Sequence, residues 1–382
     1  MKNPVLRLLL AIERAALKRK TKKDVLLVVT NEIMFAYARP IYDNLARDRK
    51  IRPWLCFCSP YRFRKQNLAR IRSKKRFRTI LFAVARRLKW DLVLYPLHHR
   101  RFRADCKKIY VGHSMMVGKA AGGESYKYGR HTRDENNNLV YDKIFAAGAH
   151  EKEMTRRLYP EIHPTVRVVG SLLADGLLAS VGEKSKILAG LGFDVNRKTI
   201  MVASTWGPHS FAQNLGAEFM EGVGCLLKTY NIIFSVHQHN FLPKCSPKIN
   251  WSELARRTKL SDFHISTNNE ESISLLLAAD LLVTDHTSLS LYYLLLHRPI
   301  VFYENANVEY LPGTSIVELK KVAHIIRDID NIEQDIRHAF DNCNVKEIAE
   351  AAAKVCDHQN RAWGRYKEEI YDTILLNRQS ET

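Results

Sequence analysis

Short apolar runs rich in β-branched residues recur along the chain, and spacers long enough for a helix separate them. The runs occupy residues 24–29, 53–58, 91–96, 109–113, 143–148 and 166–171, then 199–205, 231–237, 263–267, 279–285 and 299–304. Strands that alternate with helices build parallel sheets whose two faces are both covered. The pattern therefore predicts an α/β protein with two sets of parallel strands.

A length of 382 residues suits two domains rather than one. We expect a basic amphipathic segment over residues 1–23, one Rossmann-like domain over 24–180, a second over 181–345, and a closing helical segment over 346–382. Two such domains with parallel sheets facing a cleft form the GT-B-type arrangement. The active site of that arrangement lies in the cleft.

Polar residues follow the predicted strands at the points where ligands of open parallel sheets bind. They lie at residues 30–32, 98–99, 113–114, 204–206, 237–239 and 284–288. Five of these six groups contain histidine or consecutive hydroxyl residues. That composition favours a site for phosphates over a site for an apolar ligand.

The segment 281–303 shows this break most clearly, because five small polar residues separate an apolar strand from an apolar helix. Thr287 and Ser288 would lie at the helix N-terminus, where hydroxyls cap free backbone N–H groups. The same N–H groups and the helix dipole also suit a phosphate. Asp285 could orient His237, bind a ribose hydroxyl or cap its own helix.

Several stretches resemble the CDP-glycerol glycerophosphotransferase family, the teichoic-acid primases and polymerases. The most specific is "ADLLVTDHTSLSLYYLLLHRPIVFY" (279–303). In the same order as in the family, the chain also has "YVGHSMMVGK" (110–119), "VVGSLLADGLL" (168–178), "MVASTW" (201–206) and "FSVHQH" (234–239). The chain departs from the family pattern where His286 replaces a tyrosine, Tyr292 an aspartate, Gln238 a proline and Gly207 an arginine.

The resemblance implies roles for individual residues. His113 would be the general base that acts on an acceptor hydroxyl, and His237 would be the second catalytic residue, in contact with the donor phosphates. The donor site would comprise Ser204, Thr205, His237, His239, Asp285, Thr287 and Ser288, and Lys119 and Arg130 would bind the acceptor. A structural histidine at 113, a plain strand end at 204–205 and a flexible insertion at 117–138 are the alternatives.

The basic charge is concentrated at the start of the chain. Residues 1–110 hold 30 of the 60 Lys and Arg but 7 of the 40 Asp and Glu, a net charge of +23, which leaves about −3 for the other 272. Such a distribution favours a negatively charged surface as partner. Leu6, Leu9, Leu10, Ala16 and Leu17 can share one helical face, as on an anionic bilayer or in a helix packed on the protein body.

Nucleic acid is the less favoured partner, because residues 61–78 alone mix aromatic and basic residues and no recognition motif accompanies them. No CxxC pair or HExxH motif suggests a metal site, and no cofactor is expected. Seven scattered cysteines and no cleavable signal favour a cytoplasmic protein, here peripheral on the inner face of the membrane.

These observations predict a transferase that moves an alditol phosphate, with CDP-glycerol as the expected donor, onto a hydroxyl of a lipid-linked or polymeric acceptor in cell-wall or capsule synthesis. CMP would be released. A GT-B glycosyltransferase that uses a nucleotide sugar is the first alternative. A non-catalytic protein that binds anionic polymers or membranes is the second.

Overall fold

The computed structural model describes residues 11, 22–58, 76–98, 102–112, 115, 119–120, 132–242, 245–246, 249–258, 260–266 and 271–375. His113 and Arg130 lie outside these residues, as does the predicted basic amphipathic segment of residues 1–23 apart from residues 11, 22 and 23.

The first half of the chain forms a seven-stranded parallel sheet. Its strands are β1 (Lys23–Val29), β2 (Ile51–Phe57), β3 (Thr79–Ile80), β4 (Leu92–Tyr95), β5 (Lys108–Tyr110), β7 (Lys143–Ala146) and β8 (Val166–Val168), while β6 (Lys119–Ala120) stands apart. They are ordered β3-β2-β1-β4-β5-β7-β8. The helices are α1 (Glu32–Ala46), α2 (Phe82–Ala85) and α3 (Ala149–Leu158).

The second half forms a six-stranded parallel sheet. Its strands are β9 (Thr199–Ser204), β10 (Asn231–Val236), β11 (Phe263–Ser266), β12 (Leu281–Thr284), β13 (Ile300–Tyr303) and β15 (His324–Ile326), ordered β11-β10-β9-β12-β13-β15; β14 (Glu309–Tyr310) stands apart. The helices are α4 (Leu172–Ala179), α5 (Lys184–Leu191), α6 (Phe211–Asn214), α7 (Gly216–Leu226), α8 (Trp251–Arg257), α9 (Ser272–Ala278), α10 (Leu289–Leu294), α11 (Ser315–Lys320) and α12 (Ile332–Asp341).

All eleven strands predicted from the apolar runs occur, and the α/β fold with two parallel sheets is confirmed. The central strands β9, β10 and β12 are buried along their whole length. Burial on both faces is the reason these strands read as continuous apolar runs rather than as alternating ones. The sequence did not predict β3, β6, β14 and β15, which are two or three residues long.

A short strand pair and a returning helix are among the contacts that join the halves of the chain. β6 pairs with β14 in an antiparallel ribbon in which Lys119 lies opposite Tyr310. After α13 (Val345–Val355), the last described helix, α14 (Ala362–Leu375), packs on the first sheet. The ring of Tyr366 lies 4.9 Å from that of Phe145.

Two ion pairs of the buried Lys143 reinforce the packing of α14. Lys143 at the start of β7 contacts Glu369 and Asp372 of α14, each at 2.6 Å. The predicted closing segment is therefore helical, as expected, and its second helix completes the first half of the molecule. The division of the chain at residue 180 stays a prediction.

Candidate active site

A cleft of about 700 Å³ lies between the two sheets at the carboxyl ends of their strands. Its first side is formed by Asn31 and residues of α1, including Tyr37 and Pro40. Asn31 caps α1 by accepting a hydrogen bond from the Met34 N–H at 2.9 Å. The strand end after β1 thus leads directly into the cleft, as the parallel topology requires.

Six of the seven residues predicted to bind the donor line the cleft. They are Ser204, Thr205, His237, His239, Thr287 and Ser288. They follow β9, β10 and β12, which are neighbours in the order β10-β9-β12. Residues up to 84 positions apart in sequence are therefore brought to one edge of one sheet. The arrangement offers hydroxyl and imidazole groups to a single ligand.

Asp285, the seventh residue, lies behind the wall of the cleft and is 0% exposed. Its carboxylate accepts hydrogen bonds from Ser204 Oγ at 2.7 Å and from the Thr205 N–H at 2.9 Å. It also accepts from the Phe211 N–H at 2.9 Å and the Thr287 N–H at 3.1 Å. Because these bonds occupy both oxygens, they favour a positioning role over the direct donor contact that the sequence suggested.

The hydroxyls at the start of α10 contribute little to capping it. Ser288 occupies the cap position, yet its side chain makes no capping bond among the described residues. Thr287 Oγ1 accepts one long hydrogen bond, from the Leu289 N–H at 3.5 Å. Capping alone therefore does not account for both residues, and both side chains border the cleft.

The Nδ1 atom of His237 accepts a hydrogen bond from the His239 N–H at 3.2 Å. A neutral imidazole that accepts at Nδ1 carries its proton on Nε2. His237 therefore offers a hydrogen-bond donor at Nε2 even without a positive charge. His239 lies in the short 3-10 turn Gln238–Phe241, beyond the end of β10, as expected.

Trp206 and His286 are among the cleft residues that were not predicted as site residues. Trp206 is 46% exposed, and its ring lies 4.7 Å from that of His239 and 6.2 Å from that of His237. His286 is buried, and its Nδ1 lies 3.4 Å from the hydroxyl of Tyr310. The signal for His286 was its departure from the family tyrosine. Trp206 was visible as the last residue of a family-like stretch.

Tyrosine hydroxyls bridge the two sides of the cleft. The hydroxyl of Tyr37 in α1 hydrogen-bonds to Tyr292 of α10, and Tyr292 hydrogen-bonds to Ser171, just before α4. Burial raises the pKa of Tyr37 to about 12, so the bridge stays neutral at physiological pH. Tyr292, which replaces a family aspartate, therefore links the two halves through neutral groups.

The predicted acceptor residues are only partly described. His113 and Arg130 lie outside the described residues, and Lys119 is described through its backbone in β6. Gly112, immediately before His113, has a φ of +70°, a left-handed conformation that favours glycine. The chain thus turns sharply after β5, at the edge of the first sheet that borders the cleft.

The described residues hold no cluster of three or more His, Cys, Asp or Glu side chains able to bind a metal ion. Among the described helices, none has the length and apolar character needed to cross a bilayer.

A family model described as CDP-Glycerol:Poly(glycerophosphate) glycerophosphotransferase matches residues 14–376. The chain belongs to this family. It is therefore an enzyme of the CDP-glycerol glycerophosphotransferase type, which confirms the resemblance found in the sequence. No protein with a curated description matches the chain.

Solved structures show where this glycerophosphotransferase stands among known folds. The wall teichoic acid polymerase TagF has a TM-score of 0.64 at 14% identity, covering 98% of each chain. UDP-GlcNAc 2-epimerase from Neisseria meningitidis has a TM-score of 0.59 at 15% identity, over 92% of this chain and 99% of that one. A glycosyltransferase from Rickettsia africae ESF-5 has a TM-score of 0.53 at 14% identity, covering 93% of this chain and 99% of that one. At such low sequence identity, the structural similarity shows the GT-B-type fold alone.

Proposed function

We propose that the enzyme transfers glycerol phosphate from CDP-glycerol onto a hydroxyl of a lipid-linked or polymeric acceptor and releases CMP. The main support is the row of hydroxyl and imidazole groups along β9, β10 and β12, behind which the Asp285 carboxylate fixes two loops, the one after β9 and the one after β12. Groups held in this way need no rearrangement to bind a diphosphate.

The donor would place its diphosphate against Thr287, Ser288 and the Nε2 atom of His237. Hydroxyls and backbone N–H groups at the start of a helix complement phosphate charge. Ser204, Thr205 and His239 would complete this side. A TagF variant soaked with CDPG, with a TM-score of 0.65 at 15% identity, is consistent with this choice of donor.

In the reaction, an acceptor hydroxyl oxygen would attack the phosphorus that carries the glycerol. The new bond joins this oxygen to phosphorus, and the bond from phosphorus to the CMP oxygen breaks. The hydroxyl proton would pass to His113, and CMP would leave with the bonding electron pair. The protein would contribute mainly in-line positioning and neutralisation of the charge on CMP, with His237 as donor.

The acceptor would bind on the first half of the molecule, where the basic residues of the chain are concentrated. Lys119 and Arg130 would contact its phosphates, and residues 1–23 would lie on the inner surface of the membrane. An anionic, lipid-linked polymer provides the negative charge that such a surface attracts. Acceptor binding would thus occupy residues 24–180 and donor binding residues 181–345.

The test is nucleotide release from CDP-glycerol, other CDP-alditols and UDP-sugars, with membrane extract as acceptor. We expect CMP from CDP-glycerol, reduced about a hundredfold in His237→Ala, because a positioned histidine is worth at least this much. In Ser288→Ala we expect a reduction of about tenfold, the value of one hydrogen bond to a charged group.

His338→Ala is the control, because His338 is exposed on α12 away from the cleft. It should release CMP at the rate of the unmodified enzyme. Release of UDP from a UDP-sugar would instead support a glycosyltransferase. CMP release at the unmodified rate in all three variants would remove His237 and Ser288 from the proposed site.

A further inference from the structure

The loop after β10 carries both imidazoles of the proposed donor site, those of His237 and His239. The four groups that donate to the Asp285 carboxylate belong to the loops after β9 and β12. The position of the two imidazoles therefore depends on how the loop after β10 is joined to these other loops.

Asn240, in the 3-10 turn Gln238–Phe241, makes this connection. It is 1% exposed, and its Nδ2 donates a hydrogen bond to the Thr205 carbonyl at 3.0 Å. Its Oδ1 accepts one from Gln213 Nε2 at 3.2 Å, and the same Nε2 donates to the Cys245 carbonyl at 2.8 Å. Because carbonyl oxygens only accept, the contacts to Thr205 and Cys245 fix the orientation of both side-chain amides.

Thr205 is the residue at which the two supports of the donor side meet. Its N–H donates to Asp285 Oδ1 at 2.9 Å, and its carbonyl accepts from Asn240. The loop after β10 is thereby joined to the loop after β9, and through Asp285 to the loop after β12. Buried amide groups that lose such partners are costly, so this link holds the loop before any donor binds.

The turn that contains Asn240 also determines how His237 is held. The Asn240 N–H donates to the His237 carbonyl at 2.8 Å, which closes the turn. In the closed turn the His239 N–H donates to His237 Nδ1 at 3.2 Å. A neutral imidazole that accepts at Nδ1 carries its proton on Nε2. The turn thus selects the tautomer of His237 that offers an N–H at Nε2.

We propose that Asn240 is a positioning residue for the transfer reaction. Its side chain anchors the turn to Thr205, and the anchored turn keeps His237 in the tautomer that donates from Nε2 to the donor diphosphate. This inference rests on the proposed function, because that function gives the Nε2 proton its partner. A residue that supports only the fold would affect stability without selecting between the two ring nitrogens of His237.

The tautomer of His237 can be measured by NMR on the full chain, with nitrogen-15 in the histidine side chains and no donor present. His237→Ala assigns the signal, and a pH about two units above the ordinary histidine pKa of about 6.5 keeps the ring neutral. We expect the unmodified protein to carry the proton on Nε2 alone. In Asn240→Ala we expect both tautomers, with roughly a tenth or more of the molecules protonated at Nδ1.

Asn214→Ala is the matched control. Asn214 lies in α6, and its Nδ2 donates to the carbonyls of Pro208 at 2.9 Å and Ser210 at 2.8 Å. The change therefore also removes an amide that bonds to the backbone, but the partners of this amide lie within the loop after β9 itself. It should leave both the His237 tautomer and the rate of CMP release unchanged.

A double-mutant cycle on CMP release tests whether Asn240 acts through His237. At saturating CDP-glycerol, with membrane extract as acceptor, Asn240→Ala should lower the rate about tenfold, because His237 is displaced rather than removed. In a His237→Ala background the same change should lower the rate less than about twofold, since the imidazole to be positioned is gone. Equal losses in the two backgrounds would contradict the inference.

A thermal melt shows whether Asn240→Ala folds. If it does not, Gln213→Ala takes its place, because it removes the amide that orients Asn240 Oδ1 and keeps the bond from Asn240 to Thr205. It should lower the rate of CMP release about threefold and shift the His237 tautomer in the same direction. An unchanged tautomer in Gln213→Ala would then overturn the inference.

The outcomes separate this inference from the proposed function. A tautomer that depends on Asn240, in a protein that releases no CMP from CDP-glycerol, would support the anchoring of His237 and reject the proposed donor. CMP release together with an unchanged tautomer in Asn240→Ala would support the proposed function and overturn the positioning role. A His237 proton on Nδ1 in the unmodified protein would also overturn it.

Discussion

Each side of the cleft is organised by one buried carboxylate, and the two carboxylates are placed differently. Asp285 on the second sheet lies behind the cleft wall, where protein hydroxyl and N–H groups surround it. Glu151 on the first side borders a cavity. A carboxylate surrounded by protein donors fixes other groups, whereas one that borders a cavity can meet a ligand. Burial alone therefore does not distinguish a positioning residue from a binding one.

Removing Asp285 should have the largest effect on stability. Asp285→Ala leaves the Ser204 hydroxyl and the N–H groups of Thr205, Phe211 and Thr287 without their acceptor. Buried donors that lose a charged partner cost about 3–5 kcal/mol in the free energy of unfolding. Urea unfolding measures this loss.

The control for that variant is Asp328→Ala. Asp328 is exposed in a turn, where it accepts one hydrogen bond from the Asp330 N–H at 3.2 Å. Its removal should change the free energy of unfolding by less than about 0.5 kcal/mol. If Asp285→Ala costs no more than this control, the loops of the donor side are held by something other than the carboxylate.

On the first side of the cleft, we expect a change in backbone conformation at Gly170 to lower stability. Gly170, which lines a small cavity of about 60 Å³ beside the cleft, has a φ of +81°, and a Cβ there would lie 2.7 Å from the carbonyl oxygen of Asp357. Gly170→Ala should therefore lower the free energy of unfolding by about 2–3 kcal/mol, through left-handed strain and overlap.

Gly182→Ala provides the comparison for Gly170→Ala. A Cβ at Gly182 meets nothing within 4 Å, and its φ is not in the left-handed region. This change should leave stability equal or raise it by up to about 1 kcal/mol, since alanine has fewer unfolded conformations. Equal losses in the two variants would contradict the role given to the backbone at Gly170. Thermal melts of both variants decide the matter.

The sequence predicted the polar residues on the second side of the cleft but not those on the first side. The donor-side hydroxyls come directly after strands that are apolar throughout. The end of each apolar run in the sequence therefore marks their positions. The small cavity beside the cleft is lined by Tyr37, Glu151, Tyr292 and Tyr366, which lie on four separate helices. No local pattern relates these positions. Only the packing of α14 and α10 near the first sheet brings them together.

The same limit explains the strands that the sequence did not reveal. β3, β6 and β14 have two residues each, too few to show a period of any kind. Asp285 shows a different limit, because an aspartate before two hydroxyl residues fits a ligand contact and a hydrogen-bonded support equally well. Distances to its partners were needed to separate these interpretations.

The tyrosine bridge between the sides should give the smallest effect. Tyr292→Phe removes the hydroxyl that bonds to Tyr37 and Ser171, which should cost about 1 kcal/mol of unfolding free energy. Because that bond joins the two halves of the molecule beside the cleft, we also expect the KM for CDP-glycerol to rise about threefold. Denaturation and CMP release measure the two effects.

Tyr293→Phe is the adjacent control. The hydroxyl of Tyr293 donates to the Ala279 carbonyl at 3.3 Å, within the second half of the molecule. Tyr293→Phe should lower the free energy of unfolding by a similar amount, about 1 kcal/mol, and leave the KM for CDP-glycerol unchanged. If both variants changed that KM equally, the bridge would have no effect on the cleft beyond general stability.

The return of α14 to the first sheet has a consequence for how the protein is made. Tyr366, Ile370 and Ile374 belong to the same core as Val25, Leu27 and Val29 of β1, more than 330 residues earlier. During synthesis the chain emerges from its N-terminal end. The face of the first sheet that α1 covers only in part therefore stays incomplete until residues 362–375 have left the ribosome, long after its own strands have been translated.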